Sequence, residues 1–311
     1  MPLPHVLFAP AFTAIVLGAS GGLDESDLTS ILIARTGTQE FIALDAGTLH
    51  AGIERAVRLK SITPPRPAID VLRNSVRAYL ISHPHMDHVA GLTIVSPDDS
   101  AKPVFGLAPT LDTLRANLFN GALWANFTDE GPGKLDRYHL VRLEPGKPQT
   151  IAGTPFSVEA WPLAHGAMTS TAFLVNDGNA FVLYLGDTGP DAIEKQGRLR
   201  ALWERVAPLI RNGALRAIFL ECSWPDPRAE NLLFGHLTPK WISQEMDNLA
   251  SLVDGKVPAN ALRSVTLIIT HIKPAQIGNV SARDIVREQI KSLGPRFKNV
   301  IVPTSGQRIE F

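Results

Sequence analysis

The chain has 311 residues, of which 45% are apolar, enough to bury the core of one large domain or of two smaller ones. Its 30 basic residues balance its 30 acidic residues, so it lacks the basic excess that follows a nucleic-acid backbone. Cys222 is the one cysteine, which excludes an intrachain disulfide, and no apolar run is long enough to cross a bilayer. We therefore expect no nucleic-acid partner and no membrane partner.

The first part of the chain predicts β-strands and one glycine-rich loop. The apolar stretch 6–19 is interrupted by Pro10 and has no Lys or Arg before Arg35, which is typical of a strand rather than a signal peptide. This pattern favours a cytoplasmic protein, with the periplasm as the alternative if a leader precedes or has been removed. Strands are predicted at residues 13–17, 31–34 and 40–44. Glycines in residues 18–27 permit close backbone approach to a ligand, although an ordinary turn explains them as well.

The stretch from His83 to His88 places three imidazoles and one carboxylate within six residues. It follows a predicted buried strand and precedes the predicted start of a helix, at residues 76–81 and 89–92. On an extended backbone His83, His85 and Asp87 face the same side, and the turn into the helix brings His88 from another direction. A surface histidine cluster without function is the alternative.

These ligand types suit zinc best, and also manganese, iron or cobalt. One metal cannot comfortably take four ligands from six residues. We therefore expect two metals, with His83 and His85 on the first and Asp87 and His88 on the second.

This stretch resembles the signature of the metallo-β-lactamase superfamily. The longer match, residues 83–97, resembles the class II cyclic-nucleotide phosphodiesterases, which usually have Leu where Met86 stands, a volume-conserving change. Glu in place of His85 belongs to di-iron oxygen-reducing proteins, so His85 favours a zinc hydrolase. The resemblance extends from about residue 13 to His271. It implies one domain over residues 1–311, folded as an αββα sandwich with two facing mixed β-sheets flanked by helices.

Residues 104–108 predict a strand and residues 110–117 a helix. The following segment, 118–128, mixes aromatic and amide side chains. The resemblance implies an active-site insertion around residues 110–136. Trp124 could stack on a base there, and Asn120 or Asn126 could bind the edge of that base. Core packing or a contact between the subunits of a homodimer is the alternative.

The next predicted elements bring two further candidate ligands. Strands at 138–143 and 156–161 precede His165, and a hairpin with strands at 171–175 and 180–184 precedes Asp187. His165 follows its predicted strand on a loop, and Asp187 stands between glycines at a strand end. A helix is predicted over residues 192–209.

The C-terminal third places three more polar residues beside predicted strands. Glu221 lies at the end of strand 217–223, next to Cys222, whose near-apolar setting argues against a nucleophile. His236 lies in a loop before helix 240–252, for which Thr238 is the predicted N-cap. His271 directly follows strand 265–270. A last helix and strand are predicted at residues 281–293 and 299–302.

In an α/β fold, polar groups at strand ends gather at one edge of the sheet. The resemblance gives these groups their roles. The first metal takes His83, His85 and His165, the second takes Asp87, His88 and His271, and Asp187 bridges them. The carboxylate of Asp45 braces the metal loop from behind, and residues 18–27 lie at the mouth of the site.

The resemblance also implies a reaction, in which Asp87, His236 and Glu221 are the catalytic groups. A hydroxide held between the two cations attacks the cyclic phosphodiester of cyclic AMP or cyclic GMP. The ribose 3′-oxygen leaves and a nucleoside 5′-phosphate forms. His236 is the loop histidine that is not assigned to a metal, so we expect it to be the proton donor, with Glu221 as its hydrogen-bond partner. A His236 that only positions the loop at Gly235 is the alternative. The alternatives are a hydrolase of RNA, a lactone or a thioester, and a metal-binding protein without turnover.

Overall fold

Two mixed β-sheets of seven strands each form the centre of the molecule. The computed structural model describes residues 9–255 and 258–311, so the start of the apolar stretch, residues 6–8, lies outside the described residues. Within the described part, none of the helices combines the length and apolarity needed to cross a bilayer.

The first sheet has the spatial order β16-β1-β2-β3-β4-β5-β6, with strands numbered along the chain. Its strands are β1 (Phe12–Gly18), β2 (Ser30–Arg35), β3 (Phe41–Leu44), β4 (Val76–Leu80), β5 (Lys102–Gly106), β6 (Tyr138–Arg142) and β16 (Arg308–Glu310). The strands from β16 to β3 pair antiparallel and those from β3 to β6 pair parallel. Strand β16 was not predicted, and it closes the free edge of β1.

The second sheet has the order β15-β12-β11-β10-β9-β8-β7 and the same division into antiparallel and parallel halves. Its strands are β7 (Gln149–Thr150), β8 (Ser157–His165), β9 (Met168–Asn176), β10 (Phe181–Leu185), β11 (Leu215–Glu221), β12 (Thr266–Thr270) and β15 (Asn299–Ile301). A separate ribbon joins β13 (Gln276–Ile277) and β14 (Val280–Ser281). Strand β12 is buried throughout and its three central residues are all apolar, because parallel strands buried on both faces need no polar side.

Eight α-helices lie in the described part of the chain. They are α1 (His50–Arg58), α2 (Ala68–Ser75), α3 (Met86–Val95), α4 (Ala108–Thr113), α5 (Asp191–Glu194), α6 (Arg198–Arg211), α7 (Pro239–Val253) and α8 (Ala282–Gln289). A π-helical turn, Leu114–Leu118, continues α4, and 3₁₀ turns lie at Glu230–Leu232, Pro258–Asn260 and Ile290–Arg296.

Three apolar cores show how these layers stack. The middle core joins residues of both sheets, such as Phe12 of β1 and Phe219 of β11. One outer core joins the first sheet to α1, α2 and α3, and the other joins the second sheet to α6, α7 and α8. The molecule is therefore the predicted αββα sandwich.

Two helix predictions need correction. The helix predicted over 192–209 is broken between α5 and α6, because Lys195 and Gly197 take positive φ angles of 55° and 65°. At the start of the second helix, the side chain of Asp191 accepts hydrogen bonds from the backbone N–H groups of Leu199 and Arg200. Thr238 is the N-cap residue of α7, but its hydroxyl makes no capping bond; Asp226 Oδ2 accepts from Lys240 N at 2.7 Å in its place.

Candidate metal centre and active site

The turn between β4 and α3 separates the four candidate ligands of residues 83–88 into two pairs. We predicted an extended backbone through Asp87, and this is wrong: α3 begins at Met86, with His85 as its N-cap residue. His83 and His85 therefore alternate on extended chain, while Asp87 and His88 lie in the first helical turn. The four side chains still form the two predicted pairs, but the start of α3 separates them rather than alternation along an extended chain.

Three groups of side chains in the described part have the spacing of metal ligands, and two of them contain the predicted ligand sets. In the first, His85 Nδ1 lies 2.9 Å from His83 Nε2 and 3.3 Å from His165 Nε2. In the second, His271 Nε2 lies 3.0 Å from His88 Nε2 and 3.2 Å from Asp87 Oδ2. His165 is the last residue of β8 rather than a loop residue, and His271 follows β12 with φ of 59°.

Asp187 lies between the two groups, directly after β10. Its Oδ2 atom is 3.1 Å and 3.3 Å from the Nε2 atoms of His271 and His88. The same oxygen is 3.6 Å and 3.8 Å from the Nε2 atoms of His83 and His165. One carboxylate oxygen thus faces four imidazoles from both groups.

Hydrogen bonds on the far side of each ring determine which nitrogen faces the cluster. The Gly235 carbonyl can only accept, so His165 Nδ1–H donates to it at 2.8 Å and Nε2 keeps its lone pair. His88 Nδ1 lies 2.7 Å from Asp45 Oδ2, and His271 Nδ1 lies 3.1 Å from Ser223 Oγ. These partners fix the ring orientations and leave Nε2 as the ligand atom.

Asp45 is buried, as its predicted bracing role requires. Besides His88, its carboxylate accepts from Ser82 N and Ser82 Oγ, both at 2.7 Å, and from the Tyr184 hydroxyl. Ser82 Oγ then accepts from His83 Nδ1–H at 3.0 Å. We did not predict Ser82, Ser223 or Tyr184. The available signal was a polar residue next to a ligand at a strand end, as at Ser82.

The ionisation of these groups suits metal binding. Burial, with His88 nearby, holds the pKa of His83 well below its usual range, so this imidazole is neutral. Burial would raise the pKa of Asp187, but His271 and His88 outweigh it and hold that pKa well below its usual range. Burial would also lower the pKa of His88, but Asp187 and Asp45 raise it well above its usual value. Metal binding at His88 Nε2 would require the neutral form of this imidazole.

The residues present fit divalent cations. Two imidazole nitrogens bound to one tetrahedral zinc lie about 3.4 Å apart, given bonds of about 2.0–2.1 Å. The separations above are close to that value within each group. The ligands are of the imidazole and carboxylate type that zinc, manganese and iron accept.

His236 and Glu221 form a separate buried pair beside the cluster. His236 Nδ1 lies 3.1 Å from Glu221 Oε1 and 3.8 Å from Asp187 Oδ2, and its ring stacks on His271. Burial would lower the pKa of His236, but the carboxylates of Glu221 and Asp187 raise it above its usual value. Glu221 also accepts from three backbone N–H groups, those of Thr188, Ser223 and Leu237. His236, Asp187 and His271 are also close enough together to hold a cation.

Glycine is required where the loop between β1 and β2 crosses the cluster. A β-carbon on Gly21 would lie 2.3 Å from His271 Nδ1, which no side chain tolerates. This close approach supports the expected position of residues 18–27 at the mouth of the site.

The amide and aromatic residues of segment 118–128 bond within their own region. Asn120 caps its own turn, and Asn126 is buried with bonds to the backbone of Glu130 and Pro132. The Trp124 indole donates to Ser96 Oγ and packs against the outer core of the first sheet. These contacts support the core-packing alternative, and a role for Asn120, Trp124 and Asn126 in substrate binding stays a prediction.

The αββα sandwich with this histidine and aspartate cluster at its strand ends defines a protein of the metallo-β-lactamase fold. Solved structures agree. Unliganded yeast PDE1 superposes with a TM-score of 0.85 at 22% identity, over 97% of this chain and all of that one. The metallo-beta-lactamase fold protein YhfI from Bacillus subtilis gives a TM-score of 0.62 at 18% identity, over 98% of this chain and all of that one.

The family follows from the sequence comparisons. The family model for class-II cAMP phosphodiesterases matches residues 11–302, and the chain belongs to this family. The 3′,5′-cyclic-nucleotide phosphodiesterase of Aliivibrio fischeri is 37% identical, over 97% of this chain and 93% of that protein. The probable 3′,5′-cyclic-nucleotide phosphodiesterase of Yersinia pestis is 34% identical, over 92% of this chain and 85% of that protein.

Proposed function

We propose that this protein hydrolyses 3′,5′-cyclic nucleotides, cyclic AMP or cyclic GMP, to nucleoside 5′-phosphates. The observation that carries this proposal is the position of Asp187 Oδ2 between two groups of histidines, in a chain of the class-II cAMP phosphodiesterase family. A carboxylate in that position suits two divalent cations that share one ligand.

The proposed ligand set uses every member of the two groups. The first cation would be held by His83, His85 and His165, the second by Asp87, His88 and His271, and Asp187 would contact both. We propose zinc, because its ligand preference fits imidazole and carboxylate donors. Such a pair of cations supplies a nucleophilic hydroxide at neutral pH and neutralises charge on the phosphoryl oxygens.

No serine or cysteine nucleophile is needed in this proposal. Cys222 is fully buried, and that burial raises the pKa of its thiol well above the usual value. A thiol that resists ionisation is a poor nucleophile at neutral pH.

The proposed proton donor is His236. The ribose 3′-oxygen is a poor leaving group and needs a proton as its bond to phosphorus breaks. His236 Nδ1 is engaged with Glu221, so Nε2 is the nitrogen that can hand a proton to the leaving oxygen. Glu221 favours the protonated ring, and its backbone hydrogen bonds hold it in position.

The test is product identity. The zinc-loaded protein is incubated with cyclic AMP and with cyclic GMP in ¹⁸O-water, and the products are separated and weighed by mass spectrometry. We expect the 5′-monophosphate with the label on phosphate, and loss of turnover after chelation. A 3′-monophosphate product would contradict the proposed geometry, and no turnover of either nucleotide would contradict the function.

A further inference from the structure

A cavity of about 600 Å³ opens beside the second group of ligands. One wall is the loop between β1 and β2, and the opposite wall is the chain that follows His271. The two walls are joined by a β-bridge between Ser20 and Ile272. The volume lies within the range of about 300–1,000 Å³ that is typical of small-molecule sites.

Gly22 stands between Lys273 of the cavity wall and Asp87 of the metal centre. A β-carbon on Gly22 would lie 3.7 Å from Lys273 Nζ and 3.9 Å from Asp87 Oδ2. Lys273 Nζ donates to the Gly21 carbonyl at 2.8 Å and lines the cavity. A ligand held by the metal ligands at one end can therefore extend past Gly22 into the cavity, because no side chain stands at that position.

The cavity wall suits an uncharged, partly aromatic group. Leu23, Ile272, Pro274 and Ala275 supply apolar surface. Leu23 lies at the rim and is 82% exposed, an unusual position for a large apolar side chain.

The charged groups of the wall balance each other. Lys273 and Arg283 oppose Asp24 and Asp27, so these four side chains give no net charge that would select a second anion. Arg283 Nε and Nη2 are buried and have no hydrogen-bond partner among the described residues. A guanidinium with free donors in the wall suits the ring nitrogens and carbonyl oxygens at the edge of a nucleobase.

We propose that this cavity is the nucleoside subsite, which receives the base of the nucleotide while the cyclic phosphate lies at the metal ligands. The inference rests on the proposed function. In this arrangement the apolar wall contacts the faces of the base, and Arg283 donates hydrogen bonds to its polar edge.

The test compares two matched substitutions. Ala275→Phe fills this cavity, and Ala201→Phe fills a second cavity of about 280 Å³ that shares no lining residue with the first. Both alanines are exposed, so neither change disturbs the core. Each variant is assayed on cyclic AMP and on cyclic GMP, and its competitive inhibition by inorganic phosphate, which has no aromatic group, is measured.

We expect Ala275→Phe to raise KM for both cyclic nucleotides by at least about tenfold, while the inhibition constant of inorganic phosphate changes by less than about twofold. Arg283→Met should raise KM in the same way, and Ala201→Phe should change neither quantity. Unchanged KM values for Ala275→Phe, or an equal loss of phosphate inhibition, would overturn the subsite. A wild-type protein that turns over neither cyclic nucleotide would instead overturn the proposed function.

Discussion

Among single residues, Asp187 is the one on which both ligand groups converge. Its Oδ2 atom faces four imidazoles. Substitution by Asn would keep the shape of the side chain but remove the negative charge that attracts the two proposed cations. We expect Asp187→Asn to lose at least one metal per chain and at least about 100-fold in turnover, the upper end of the effects seen for the partners of metal ligands. Elemental analysis measures the metal content, and steady-state kinetics measures the turnover.

Asp99 offers a control for that substitution, since it is also a buried aspartate but pairs with Lys102 and two tyrosines. Asp99→Asn should lower stability and keep the metal content of the wild type. An Asp187→Asn protein with two metals and near-normal turnover would remove Asp187 from its bridging role.

His236 gives a prediction with a pH signature. If it is the acid, its protonated form is the active one, so turnover falls as pH rises through its raised pKa. Glu221→Gln removes the neighbouring charge that raises this pKa, so the alkaline limb of the profile should move to lower pH. His236→Ala should cost about 10²–10⁴-fold on cyclic nucleotides with both metals retained.

Bis(p-nitrophenyl) phosphate separates acid catalysis from positioning, because its leaving group needs no proton. The loss in His236→Ala should therefore shrink on this substrate. An equal loss on both substrates would make His236 a positioning residue and leave the acid unassigned.

At the scale of secondary-structure elements, the side chain of Asp191 caps the first turn of α6. Asp191 Oδ1 and Oδ2 accept from Leu199 N and Arg200 N at 3.2 Å and 2.7 Å. We expect Asp191→Ala to lower the free energy of unfolding by about 0.5–2 kcal/mol, the usual cost of a lost helix cap. Urea unfolding measures this free energy. Asp191→Asn keeps one acceptor oxygen and should therefore be less destabilised than Asp191→Ala. Equal stability of all three proteins would show that the cap contributes nothing.

The strands were the elements that the sequence predicted best. Buried apolar runs such as Thr266–Thr270 carry their own signal, and the histidines that follow them could be placed at strand ends. The start of α3 was mispredicted because long-range bonds help to define it: Ala46 N donates to the His88 carbonyl, and Gly91 N donates to the Gly47 carbonyl. The local sequence contains no sign of these partners.

The sequence predicts the candidate metal ligands but not the groups that support them. A candidate ligand is a rare residue type at a strand end, whereas Ser223 and Tyr184 are ordinary residues whose role depends on which strands are neighbours. Tyr184 reaches Asp45 across the interface between the two sheets, and that pairing is tertiary information.

At the scale of the whole molecule, the last residue links the two sheets. Phe311 is 3% exposed and its ring lies 5.9 Å from those of Phe12 in the first sheet and Phe219 in the second. We expect Phe311→Ala to lower the free energy of unfolding by about 3–5 kcal/mol, as for other buried aromatic truncations. Denaturant unfolding at fixed metal concentration measures it.

Phe234 is the matched control because it is a phenylalanine with 64% exposure. Phe234→Ala should change stability by less than about 0.5 kcal/mol, as surface substitutions usually do. A similar loss of unfolding free energy in both variants would mean that burial does not explain the destabilisation caused by Phe311→Ala.

Each ligand group draws on both halves of the sandwich. His83 and His85 follow β4 of the first sheet and His165 ends β8 of the second; Asp87 and His88 follow β4, and His271 follows β12. A cation bound to either group would thus crosslink the two sheets, in addition to the apolar middle core and hydrogen bonds such as that from Tyr184 to Asp45. Because such a cation binds the folded chain in preference to the unfolded one, the melting temperature should rise with the logarithm of free metal concentration. Metal supply in the surroundings would then govern how long the folded protein persists, independently of whether substrate is present.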